Sequence, residues 1–241
     1  MLMGRHTLPA YNVQTAVDAE HALIVTHSVV LDASDNRCLH PVAAAAKAAL
    51  GGGSFNVVAD AGYSNGEQAA RCEEEGMLPH APVMRTVKNQ GGGGLFGRKD
   101  FRYKPETNTY LCRGNKTLRR KKEHRKELYI PYEAAAADCG TCSLKSQCTL
   151  AAKRTLTRHV YEDAMNRMQA RLTSDHMRLR RCTVEHPFAT IKYRIFGHPR
   201  FLMRGLSAAR VEIDLATMVY NIKRMTKVLG GTRLTAALQP R

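Results

Sequence analysis

Tryptophan is absent from this 241-residue chain, and aromatic residues make up only 6% of it. Binders of single-stranded nucleic acid stack bases on aromatic rings, so a zinc-dependent RNA-processing role has little to stand on. No apolar run approaches the roughly 18 residues of a membrane span, and Met1-Leu2-Met3-Gly4-Arg5 lacks the apolar stretch of a signal peptide. The expected setting is the cytoplasm, with no membrane partner. Cysteines number seven, an odd count that in such a setting favours reduced thiols or a metal site over a disulfide framework. Hydrophobic residues at 44% and charged residues at 24% lie near the averages of globular chains, which argues against wholesale disorder, collagen and long coiled coil.

Acidic residues are also in short supply. Against 37 Lys and Arg stand 21 Asp and Glu, a formal charge of +16. The imbalance is local: residues 98–128 and 153–204 each carry 12 basic and 4 acidic side chains, and the rest of the chain is balanced. Two cationic segments on a neutral scaffold suit a polyanion, of which DNA or RNA is the commonest.

Along the chain, Tyr11, Val13, Thr15 and Val17 alternate with polar neighbours and predict a strand. A turn at Asp18-Ala19-Glu20-His21 and a β-branched run over residues 22–31 complete an antiparallel hairpin. An Ala-rich helix is expected over residues 38–50, stopped by Gly51-Gly52-Gly53. Phe55 to Ala59 reads as a strand ending at Asp60, and Ser64 with Glu67 as a capping box for a helix that Gly76 closes. Asp60 thus falls at the carboxyl end of a strand, where α/β sheets place ligands and catalytic groups.

The expected organisation is a core over residues 1–90, a basic cysteine-bearing insertion over 91–158 that opens on the Gly91–Gly94 linker, a helical return over 159–229 and a frayed tail over 230–241. The insertion shows little hydrophobic periodicity. In the return, residues 161–181 read as one polar and basic helix. Val211, Leu215, Met218, Ile222 and Met225 step by helical spacing and predict the buried stripe of another.

Two constellations carry chemistry. On a helix, Arg181, Glu185, Phe188 and Lys192 share a face, so a carboxylate for a hard divalent cation stands beside cations for phosphate oxygens. An ordinary run of i,i+4 salt bridges would look the same, and Pro187 would kink the helix. Cys112, Cys139, Cys142 and Cys148, with their Cys-x2-Cys core, have the makings of a tetrahedral Zn²⁺ site, plain reduced thiols being the alternative. Cys38, Cys72 and Cys182 have no such partners and are expected to pack.

Residues 11–18 (Tyr-Asn-Val-Gln-Thr-Ala-Val-Asp), residues 58–63 (Val-Ala-Asp-Ala-Gly-Tyr), and residues 184–188 (Val-Glu-His-Pro-Phe) with Arg204-Gly205-Leu206 together resemble the catalytic domain of bacterial insertion-sequence transposases of the DDE class. Arg181, Glu185 and Lys192 reproduce the spacing of the Tyr-Arg-Glu-Lys signature of one branch, with Arg178 where that branch has its Tyr. The resemblance implies a ribonuclease-H-like mixed sheet with flanking helices. It implies two-metal phosphodiester chemistry with Mg²⁺ or Mn²⁺ on Asp60 and Glu185, and phosphate contacts from Arg181 and Lys192. It also implies double-stranded DNA as partner, at element ends and target, and a homodimer on it, nucleoid-associated when bound. In that fold the first catalytic aspartate lies on a strand before the hairpin. Asp18, Asp32 and Asp35 do not match its place, so a truncated, weakly active or inactive copy is expected. The alternative is a non-catalytic DNA-binding protein derived from such a core.

Overall fold

The computed structural model describes residues 2–3, 6–7, 10–83 and 94–237. Gly91 to Gly93 of the expected linker lie outside the described residues. The architecture is mixed α/β, and the chain divides into two compact units, Met1–Val83 with Ala164–Arg241, and Met84–Asp163.

The first unit opens with a pair of two-residue strands, β1 (Leu2–Met3) and β2 (His6–Thr7), ahead of the hairpin with which the sequence reading begins the chain. The hairpin is β3 (Asn12–Val17) against antiparallel β4 (Ile24–Val30), with a register shift between Ala16 and Val17. Its turn is held by Asp18, whose carboxylate accepts the backbone N–H groups of Glu20 and His21 at 3.3 and 2.6 Å, an Asx-type closure. Helix α1 (Leu39–Ala49) follows, then β5 (Phe55–Val58), α2 (Gly66–Glu74) and β6 (Met77–His80). Strands β5 and β6 are parallel, Phe55 opposite Met77 and Val58 opposite His80, as a helical crossover requires. Gly76, at φ +76°, makes the left-handed turn into β6; a Cβ there would lie 2.6 Å from Ser54 Oγ. The N-cap of α2 is Asn65 rather than the expected Ser64: its side chain accepts from Gln68 N at 3.1 Å.

The hairpin and the parallel pair are separate two-stranded sheets. Among the described residues no strand pairs with the outer edge of β3 or of β5.

Two helices replace the one expected over residues 161–181. They are α5 (Glu162–Arg171) and α6 (Ser174–Thr190), with Thr173 between them as N-cap, accepting from His176 N at 3.3 Å. Helix α6 runs through buried Pro187 into a π-helical turn, Ile191–Ile195, with Phe196 N donating to Ile191 O at 2.9 Å. Pro187 has no N–H to donate one turn back toward Thr183, and the widened turn follows it at the end of the helix. Helix α7 (Leu206–Leu229) buries Ala209, Ile213, Ala216 and Tyr220, whereas Val211, Leu215, Met218 and Ile222 are about half exposed. The expected stripe is therefore the outer one. Small residues on the inner face let the helix approach the hairpin closely, and Asn221 pins it there by bonding both the N–H and the C=O of Ile24 at 2.9 Å. Helix α8 (Gly231–Ala237) stands where a frayed tail is expected, and residues 238–241 lie outside the described residues.

The unit has two cores. Leu39, Ala43, Ala69, Cys72, Met77 and Met168 form one around α1, α2 and β6; Ile24, Val29, Ile191, Ile213 and Tyr220 form the other, under the hairpin.

The second unit holds a five-stranded antiparallel meander that the sequence pattern did not reveal: β7 (Arg102–Lys104), β8 (Thr109–Leu111), β9 (Thr117–Arg120), β10 (Tyr129–Glu133) and β11 (Thr155–His159), in the order β11-β10-β9-β8-β7. Two short helices, α3 (Ala136–Gly140) and α4 (Lys145–Cys148), lie between β10 and β11 in sequence. Its core is Phe101, Tyr110, Leu118, Ile130, Tyr132 and Leu156. No helix among the described residues is long and apolar enough to cross a membrane.

Candidate active site

Two strand ends and one helix build the site. Asp60 follows β5 and caps a short 3-10 turn, Ala61–Tyr63, accepting Gly62 N at 2.9 Å through Oδ1. Its Oδ2 accepts Arg180 Nη2 of α6 at 2.6 Å. The other nitrogen of the same guanidinium, Nη1, is 3.8 Å from Glu185 Oε1. One planar cation thus gathers both of the acidic residues singled out in the sequence, Asp60 partly shielded and Glu185 largely in solvent.

The loop after β4 supplies a third carboxylate. Asp35 Oδ1 accepts Asn12 Nδ2 at 2.7 Å and Gln14 Nε2 at 2.6 Å, and the Tyr63 hydroxyl donates to Gln14 Oε1. Gln14 is 2% exposed, so its amide is fully committed to this network. Burial, followed by the charges of Asp35 and Asp60, pushes the Tyr63 hydroxyl well above its usual range, which keeps it a donor. Asn65 Nδ2 donates to Asn36 Oδ1 at 2.6 Å and Asn36 Nδ2 to Ser64 O at 3.2 Å, lacing the two strand-end loops together. Gly62 sits where they converge: a Cβ there would stand 3.0 Å from Asp60 Oδ1 and 3.5 Å from Asp35 Oδ2.

A cavity of about 180 Å³ opens beside these groups, with Val13 and Thr15 of β3 on one side, Val58 and Ala59 on another, and Asp60 and Arg180 at its polar end. Thr15 Oγ1 is buried without a hydrogen-bond partner and lines this cavity.

The cation paired with Asp60 and Glu185 is neither Arg181 nor Lys192. Arg181 is exposed, and its neighbour Arg180 takes the inward position. Lys192 lies over the Phe188 ring at 5.7 Å, and Phe188 lines the cavity. Arg180, Gln14 and Tyr63 were not singled out from the sequence, and Asp35 was set aside there. The strand pattern put Gln14 with Asn12 and Ala16 on the face opposite Val13, Thr15 and Val17, so nothing in the alternation marked it as buried.

In the second unit, Cys112, Cys139, Cys142 and Cys148 line one cavity of about 20 Å³. Burial raises the Cys148 thiol above its ordinary value; Arg154 opposes the rise, and Cys112, Cys139 and Cys142 add to it. Cys38 and Cys72 are buried, Cys72 pushed up to about 12 by burial, but Cys182 is exposed and packs against nothing in the core, contrary to expectation.

Oxygen donors such as Asp60, Asp35 and Glu185 are the right kind for a hard divalent cation. Their arrangement does not fit one: Arg180 holds Asp60, and among the described residues no group of three or more His, Cys, Asp or Glu is placed to hold a metal ion.

The profile of the transposase DDE domain family matches residues 4–222. This chain belongs to that family. No curated protein and no solved structure matches it significantly. Within the transposase DDE domain, Asp60 sits at a strand end and Glu185 on a helix, and the second unit occupies residues 84–163 between them in sequence.

Proposed function

We propose that this transposase-family chain acts in DNA strand cleavage and transfer at the ends of a mobile element, and that as it stands it cleaves poorly. The observation that carries this reading is the single guanidinium shared by Asp60 and Glu185. It supports one active site containing both acids. It also supports low activity, because a cation of the protein already occupies Asp60 and stands beside Glu185, the carboxylates that catalysis would direct at divalent ions. Domains of this family work with such ions, Mg²⁺ or Mn²⁺; since the residues here do not fit one, no step is routed through it. What the chain's own groups offer is phosphate recognition. Arg180 is able to exchange a carboxylate for a phosphodiester, and Arg181 and Lys192 are exposed cations on the same helical stretch. Arg181, Glu185 and Lys192 support the Tyr-Arg-Glu-Lys branch.

A ribonuclease-H-like fold lacking its first strand is supported by the hairpin, the helix after it and the parallel β5-α2-β6 unit, with the outer edges of β3 and β5 unpaired among the described residues. A homodimer on double-stranded DNA is part of the reading, because two ends must be brought together, and the exposed stripe of Val211, Leu215, Met218 and Ile222 offers apolar surface for it. The second reading, a DNA-binding protein that does not cut, is favoured by the hold of Arg180 on Asp60 and of Asn12 and Gln14 on Asp35, which commits both carboxylates to the protein's own groups.

Nicking of supercoiled DNA in Mg²⁺ or Mn²⁺ tests both. The expected result is salt-sensitive duplex binding with little cleavage, unchanged in Glu185→Gln. Robust turnover that Glu185→Gln abolishes overturns the claim of low activity, and failure to bind duplex DNA overturns both readings.

A further inference from the structure

We infer that the second unit contains a structural zinc site whose ligands are Cys112, Cys139, Cys142 and Cys148. The inference is independent of the transposase reading. Three separate stretches of backbone bring the four thiols round one cavity: the turn after β8, helix α3 with the residues that follow it, and the end of α4. At about 20 Å³ that cavity has room for one atom-sized occupant.

The local backbone is shaped for sulfur ligation. Cys112 opens a tight turn in which Cys112 N donates to Lys116 O and Asn115 N to Cys112 O, both at 3.0 Å, with Asn115 at φ +55°. This turn aims Lys116 N at Cys112 Sγ, 3.3 Å away, and a backbone amide on sulfur stabilises the thiolate that a metal needs. Gly114 lies between two of the sulfurs: a Cβ there would be 3.5 Å from Cys142 Sγ and 3.7 Å from Cys112 Sγ. Cys139 and Cys142 are joined by a single turn, Cys142 N donating to Cys139 O at 3.4 Å.

The surroundings suit the charge. Four thiolates on Zn²⁺ leave two net negative charges, and three cations, Lys116, Lys145 and Arg154, line the same cavity against one carboxylate, Asp138, which pairs with Lys116 at 3.6 Å. Soft thiolates select zinc over the hard cations that the carboxylates of the first unit would take. The sulfurs do not yet stand at ligand separations, so binding draws the turn and the two short helices together, and each thiol gives up its proton as its bond to zinc forms. A unit built on strands of three to five residues gains a fixed point that its small core does not supply.

The test is the metal content of the full chain, purified under reducing conditions without added zinc. About one zinc per chain is expected, lost in Cys142→Ser and in Cys148→Ser and kept in Cys182→Ser. If the serine variants do not fold, cobalt added to the wild-type chain gives the second readout, as thiolate-to-cobalt charge-transfer absorption with the intense bands of tetrahedral coordination. Zinc-free protein that gives no such absorption overturns the inference. So does zinc retained in full by folded Cys142→Ser, bound iron with visible absorption, or a disulfide among these four cysteines in the fresh protein.

Discussion

The two units solve the same problem with different materials. The first buries Leu, Ala, Ile and Met between helices and short sheets. The second buries rings and threads arginines among them: Arg158 lies 3.9 Å from the Tyr103 centroid, Arg113 4.7 Å from Phe96, Arg154 5.1 Å from Phe101 and Arg98 5.9 Å from Tyr110. These arginines are also tied by ion pairs or backbone carbonyls: Arg98 to Glu162, Arg113 to Asp100, Arg154 to Cys148 O and Phe96 O, and Arg158 to Asp163. Much of the second unit's positive charge therefore supports its own fold. Charge counted along a sequence overstates what is free to meet a polyanion. Arg119 and Lys122, at the end of β9 and just beyond, are exposed and closer to what that count was meant to measure.

The sharpest way to break this comparison is through the cores. Leu118, fully buried in the second unit, and Met168, fully buried in the first, should each cost about 2–5 kcal/mol when replaced by Ala. Hydrogen exchange is expected to show the loss of protection confined to the mutated unit; loss spread evenly over both would mean that the division into two cores has no energetic counterpart. A smaller effect separates the two kinds of arginine. Arg158→Ala should destabilise by about 1–3 kcal/mol, since it removes a ring contact and a charged hydrogen bond. Arg119→Ala should leave stability within about 0.5 kcal/mol but reduce the slope of log affinity for DNA against log salt by about one. Equal effects of the two on DNA binding would dissolve the distinction.

The smallest expected effect is on acid stability in the first unit. Burial works to raise the Glu73 carboxyl, but hydrogen bonds from Arg167 and Arg171 outweigh it and hold the group below its ordinary value. A carboxyl lowered by folding contributes stability above its unfolded pKa, and that contribution disappears as pH falls through the folded value. Denaturant melts taken from about pH 6 down to about pH 3 should decline more steeply for the wild type than for Glu73→Gln.

How far the sequence was readable follows the same division. The hairpin was legible because Val13, Thr15 and Val17 alternate without interruption, and Asp60 because a short apolar strand ends on it. The five-stranded sheet was not, because its strands are only three to five residues long and each buries at most two side chains, Tyr110, Leu118, Ile130, Tyr132 and Leu156 among basic and polar neighbours, too few for a hydrophobic period to register. Helix α7 was legible as a helix, but its facing was reversed. Val211, Leu215 and Met218 outweigh Ala209 and Ala216 on any hydrophobic scale, yet the alanines are the ones that allow close approach. In the candidate site, Asp60 and Glu185 could be found by type and spacing, whereas Arg180 differs from Arg181 only by the rotation of a helix, which its sequence does not fix.

Among the described residues the outer edge of β3 has no partner strand, which has a consequence on the timescale of solvent exchange. In an antiparallel pair successive residues direct their amides alternately toward the partner and away from it. Along Asn12–Ala16, before the register shift at Val17, every second amide faces β4 while its neighbours turn toward the side where, among the described residues, no strand pairs. Deuterium should therefore enter this one strand in alternation, fast and slow residue by residue. A segment that filled that edge would slow the fast set and leave the slow set as it was.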